Sequence, residues 1–103
     1  MTELDKLEQY LKERNRIYQR VDSDYTTDSA GHMASREIHQ IVAYKYGKYS
    51  WDAICHPGSY GYEDGLLEIM GEISQKKRDV EGYLTAADVI DRIELTERAR
   101  TSC

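Results

Sequence analysis

The feature that most limits what this chain can become is residues 37–55, EIHQIVAYKYGKYSWDAIC. Ile38, Ile41, Val42 and Tyr44 precede the tetrapeptide Lys45-Tyr46-Gly47-Lys48. Beyond it Tyr49, Trp51, Ala53 and Cys55 alternate with Ser50, Asp52 and Ile54. Alternation at period two puts one set of side chains on each face of a strand, and glycine supplies the positive φ of a tight bend. The stretch predicts two strands, 37–44 and 49–55, joined as a hairpin.

The flanking sequence adds helices. Leu4, Leu7 and Leu11 recur at helical spacing behind Thr2 and Asp5, an N-cap pair, and Glu8 with Lys12 makes a favourable i,i+4 pair. Asn15 is a left-handed stop, so a first helix is expected over residues 3–14. Residues 16–22 alternate and read as a strand. Residues 23–35, SDYTTDSAGHMAS, are rich in Ser, Thr, Asp and Gly and read as a mobile loop or insertion.

Leu66, Ile69, Met70 and Ile73 lie at i, i+3, i+4 and i+7, which predicts a second helix over 63–73 despite Gly71. A charged turn, SQKKRDVEGY, leads to Thr85, whose side chain caps a third helix with Asp88 at its third position. Leu84 and Val89 form its hydrophobic staple, Val89, Ile90 and Ile93 its buried stripe, and residues 94–103 a frayed tail. The expected fold is α+β in the order α-β-β-β-α-α: a three-stranded antiparallel meander with helices on one face, in a single domain, 1–103.

A chain of 103 residues suits one modest core with a net stability of about 5–15 kcal/mol. No apolar run approaches the ~20 residues that span a bilayer, and the opening MTELDKLEQYL carries no export signal, so a cytoplasmic location is expected. Cys55 and Cys103 are then two free thiols.

The net charge of −5 is unevenly spread. Residues 1–22 carry five acids and five bases, and residues 75–103 six of each. Residues 51–74 hold Asp52, Glu63, Asp64, Glu68 and Glu72 with no Lys or Arg. That asymmetry disfavours direct nucleic-acid binding, which needs a basic footprint, and suits docking onto a basic protein surface. The competing reading is that the charge only keeps a small protein soluble.

The acidic stretch contains the most unusual segment, His56-Pro57-Gly58-Ser59-Tyr60-Gly61-Tyr62-Glu63-Asp64-Gly65, with the chain's only proline and three of its seven glycines. Five of nine tyrosines and the single tryptophan, Trp51, fall within residues 44–62. Tyrosine offers rigid area at low entropy cost plus a hydroxyl, as recognition surfaces require, although strands also bury tyrosine against a core. For Tyr44 and Tyr49 the core role is favoured. Tyr60 and Tyr62, flanked by glycine, are candidate binding residues.

The stretch DAICHPGSYGYEDGLLEIMG, together with DVEGYLTAADVI and the opening KLEQYLKER, resembles small uncharacterised proteins of phages and prophages in Gram-positive, gut-type bacteria. The resemblance covers most of the chain except residues 23–35. It implies a mobile-element context in a bacterial host, where small acidic proteins often inhibit defence systems in the manner of anti-CRISPR proteins, and it implies no reaction.

Three chemistries can be weighed on the residues themselves. Asp52, Cys55, His56, Glu63 and Asp64 show no metal-site spacing, so neither metal nor cofactor is expected. Gly58-Ser59-Tyr60-Gly61 is not a nucleophile elbow, which leaves a small hydrolase using His56 and Ser59 as a remote alternative. A nucleotide second messenger could stack its base on Tyr60 or Tyr62, with Lys45, Lys48 or a second subunit of a homo-oligomer supplying positive charge. Against this, Glu63 and Asp64 repel an anion. The favoured expectation is a non-enzymatic inhibitor that occupies a basic surface of a bacterial defence effector. Its binding residues are Trp51, Asp52, His56, Ser59, Tyr60, Tyr62, Glu63, Asp64 and Glu68; the sponge for a nucleotide messenger is the alternative.

Overall fold

The computed structural model describes residues 1–23, 38–74 and 80–101. The chain runs as α1 (Glu3–Glu13), β1 (Tyr18–Ser23), β2 (Ile38–Lys45), β3 (Lys48–Ile54), a 3₁₀ turn (Tyr62–Asp64), β4 (Leu67–Gly71), β5 (Glu81–Leu84) and α2 (Ala86–Thr101). The five strands form one antiparallel meander in the order β1-β2-β3-β4-β5. The α+β class is as expected, but among the described residues the sheet has five strands rather than three and two α-helices accompany it rather than three.

The central correction concerns residues 63–73. Leu67 and Ile69 are fully buried while Met70 is 48% exposed. That is the period-two signature of a half-buried strand, which ends at Gly71. β5 was hidden within the expected charged turn, because a four-residue strand carrying Gly82 is too short to show alternation.

Local chemistry fixes the other boundaries. Thr2 and Asp5 form a reciprocal capping box at 3.0 and 2.9 Å, and Asn15 stops α1 with φ +55°. Thr85 and Asp88 repeat the box at the start of α2. Tyr46 and Gly47, both at positive φ, turn β2 into β3. α2 continues to Thr101 where a frayed tail was expected, and Glu97 ties it to Arg16 at 2.6 Å. Glu8 of α1 accepts from the Tyr18 hydroxyl and from the Arg20 guanidinium on β1. The loop expected over 23–35 lies outside the described residues except for Ser23, which ends β1, and Cys103 also lies outside them.

Both helices cover one face of the sheet. Leu4, Leu7 and Leu11 of α1 and Val89 and Ile93 of α2 enclose Ile41, Ala43, Trp51, Ala53, Leu67 and Ile69. Removing a side chain such as Leu7, 0% exposed, costs about 2–5 kcal/mol in a core of this kind. The Glu3 carboxylate accepts the Ala86 N–H at 2.8 Å, and Arg16 meets Glu97. The two helices therefore lie parallel, N-terminus beside N-terminus. Strand register places Gln19, Val21, Gln40, Val42, Asp52, Ile54, Glu68 and Met70 on the opposite face, away from the helices.

Candidate functional site

The β3–β4 connection, residues 55–66, is built from its own backbone outward. The Ser59 hydroxyl donates to the His56 carbonyl at 2.7 Å and accepts the His56 N–H at 3.1 Å. Tyr62 N–H then donates to the Ser59 carbonyl, and Leu66 N–H to that of Gly61. The loop docks on β5, where Tyr83 N–H donates to the Tyr60 carbonyl at 3.3 Å. Tyr60 N–H is held by the Glu68 carboxylate at 3.0 Å.

Two glycines permit this docking. A Cβ on Gly82 would collide with the Tyr60 Cβ, and one on Gly61 would lie 2.9 Å from the Leu66 Cβ and 3.1 Å from the Tyr83 Cα. Neither neighbour is the free end of a flexible side chain. The backbones therefore meet only where no side chain intervenes.

The result is a concavity of about 290 Å³ lined by Gly58, Ser59, Tyr60, Gly61, Tyr62, Glu63, Asp64 and Tyr83. The rings of Tyr60 and Tyr83, 56% and 62% exposed, stand 6.3 Å apart between centroids and are inclined by 31°. Glu63 and Asp64 sit exposed on the 3₁₀ turn at its rim. No Lys or Arg lines this recess among the described residues.

Of the residues singled out in the sequence, Ser59, Tyr60, Tyr62, Glu63 and Asp64 converge here, and Glu68 supports Tyr60 from behind. Others lie elsewhere. Trp51 is 5% exposed and belongs to the helix-covered core, leaving it almost no surface for a partner. Asp52 is on the helix-free face, accepting from the Tyr49 hydroxyl and from Gln40 at 3.3 Å. Burial and that carboxylate push the Tyr49 hydroxyl upward in pKa. Glu72 accepts from the Ser50 hydroxyl at 3.1 Å, away from the recess.

The His56 imidazole has its Nδ1 buried with no hydrogen-bond partner among the described residues. Its link to Ser59 runs through the backbone, not the ring. Lys45 and Lys48 flank the turn at the opposite end of β3, about 20 Å of strand away at ~3.3 Å per residue. Among the described residues, no group of three or more His, Cys, Asp or Glu side chains is placed to hold a metal ion, and no helix is long and apolar enough to cross a membrane.

Tyr83 was missed in the sequence. It lies in what reads as a turn, and its positive φ of +60° is not signalled by residue type. Comparison of the chain with protein-family models, curated proteins and solved structures gives no match.

Proposed function

We propose that this chain is a non-enzymatic binding protein of a phage or prophage that blocks a bacterial defence effector by covering a basic surface on it. The observation that carries this reading is the recess itself: three tyrosines and two carboxylates gathered in one concavity with no basic side chain among the described residues that line it. Exposed aromatic anchors beside like-signed charge are the ingredients of an interface in which the rings supply affinity and the acids steer encounter. The cytoplasm of the bacterial host is the compartment in which such an effector is met.

The nucleotide-sponge alternative gains less from this arrangement. Phosphate needs donors or cations, and the recess instead presents Glu63 and Asp64, with Lys45 and Lys48 at the far end of β3. A hydrolase using His56 and Ser59 requires the imidazole on the hydroxyl, whereas that hydroxyl is bonded to the His56 backbone.

The test is affinity capture from a Gram-positive bacterial lysate with wild-type protein and with Tyr60→Ala/Tyr62→Ala. A stoichiometric protein partner captured by the wild type and lost from the double variant is the expected result, with a loss of about 2 kcal/mol or more in binding. Trp51 emission, reporting the core, is expected to be unchanged in the variant. Equal capture by both proteins, or a nucleotide released on heating in place of a protein partner, overturns the reading.

A further inference from the structure

We infer that the recess receives one arginine side chain of the partner, seated against the paired rings of Tyr60 and Tyr83, and that Tyr83 is the residue on which this specificity turns. The inference rests on the proposed binding role of the recess and gives it a chemical identity. The two rings stand 6.3 Å apart between centroids, and the negative face of such a ring attracts a cation within ~6 Å of its centroid. A guanidinium is planar, weakly hydrated and able to stack on an aromatic face while its N–H groups point sideways to acceptors. Glu63 and Asp64 on the same rim provide the acceptors, in the fork geometry that carboxylates offer to arginine.

The same chemistry occurs, occupied, elsewhere in the molecule. Tyr10, Arg14, Arg16, Glu94, Glu97 and Arg98 line a second concavity, and the Arg14 guanidinium lies 4.8 Å from the Tyr10 ring centroid. There tyrosine and carboxylates are matched by the chain's own arginines. At Tyr60 and Tyr83 the rings and carboxylates are present without an arginine among the described residues that line the recess, which is the complement that a partner's arginine would supply. Among the described residues that line the recess, an anionic ligand meets two carboxylates and no cation.

The rings are held for this purpose from behind. Glu68 fixes the Tyr60 backbone, Gly82 lets the loop approach β5, and Tyr83 takes a positive φ. Little conformational freedom of the backbone is left to lose on binding.

The experiment is a titration at low ionic strength with the peptide acetyl-Gly-Arg-Gly-amide, read by NMR on the tyrosine ring signals. The control peptide carries citrulline, which keeps arginine's shape without its charge. Saturable shifts at Tyr60 and Tyr83 are expected with the arginine peptide, at least tenfold tighter than with citrulline. A lysine peptide is expected to bind more weakly than the arginine one. Tyr83→Ala should weaken arginine binding at least tenfold, and Tyr83→Phe should retain it, which separates loss of the ring from loss of the fold. Equal response to citrulline, unaltered binding in Tyr83→Ala, or no saturable shift in the wild type overturns the inference. Equal binding of the lysine peptide overturns the choice of guanidinium. If the peptide fails while partner capture still depends on Tyr60 and Tyr62, only the arginine assignment falls; if capture does not depend on them, the proposed function falls first.

Discussion

Gly82 and Tyr60 occupy the same space so closely that a methyl group on the glycine would run into the tyrosine's Cβ. This contact between β5 and the β3–β4 connection keeps the Tyr60 and Tyr83 rings side by side. Gly82→Ala is therefore expected to destabilise the protein by about 1–3 kcal/mol, as overpacking does, or to push the connection off β5. A lowered urea midpoint together with altered tyrosine ring signals is the expected result. A midpoint and ring spectrum like those of the wild type would show that the loop is not held there.

Charge reversal at the rim should act on kinetics more than on the fold. Glu63 and Asp64 are exposed on the 3₁₀ turn, so Glu63→Lys/Asp64→Lys is expected to leave thermal stability within about 0.5 kcal/mol. Association with a basic partner should slow and lose most of its dependence on salt, which stopped-flow or surface-binding kinetics over a range of ionic strength measure. Unchanged association rates would remove the steering role of these acids.

Acid should loosen the attachment of α1. The Thr2 backbone N–H, and after it Arg20 at 2.8 Å, hold the Asp5 carboxyl down to about 2. Glu3 is lowered too, by the Ala86 N–H and then Lys6. A carboxylate whose folded pKa lies below its unfolded value of about 3.9 binds fewer protons when folded. Its stabilising contribution is complete above that unfolded value and is lost as pH falls toward 2. Urea titrations from pH 6 to 2 should show stability declining through that window. Asp5→Asn should be less stable at neutral pH and show a shallower decline. An equally steep decline in the variant would place the acid sensitivity elsewhere.

Much of this architecture was legible because it rests on local chemistry. The capping pairs Thr2–Asp5 and Thr85–Asp88, the Asn15 stop and the Tyr46-Gly47 turn each satisfy backbone groups within a few residues, and composition reports such needs directly. β4 was illegible because Leu66, Ile69, Met70 and Ile73 fit a helical template once Leu67 is overlooked. Only pairing with β3, from Trp51↔Gly71 to Ile54↔Glu68, decides between the two periods. The recess was half legible: its loop stood out by proline, glycine and tyrosine content. Tyr83 joins it through the β4–β5 pairing, from Ile69↔Glu81 to Leu67↔Leu84, a relationship between separate stretches that no local pattern encodes.

The meander also bears on how the molecule comes to be folded. Every strand pairs with its neighbour along the chain, so the sheet can grow one hairpin at a time, beginning most readily at the four-residue turn between β2 and β3. Contacts between the helices are different: Glu3 to Ala86 and Arg16 to Glu97 each bridge some eighty positions. Closing such a span costs entropy that is recovered only once the sheet is in place. The pairing of α1 with α2 is accordingly expected to form late in folding, and substitutions at Arg16 or Glu97 should quicken unfolding while leaving the refolding rate nearly unchanged.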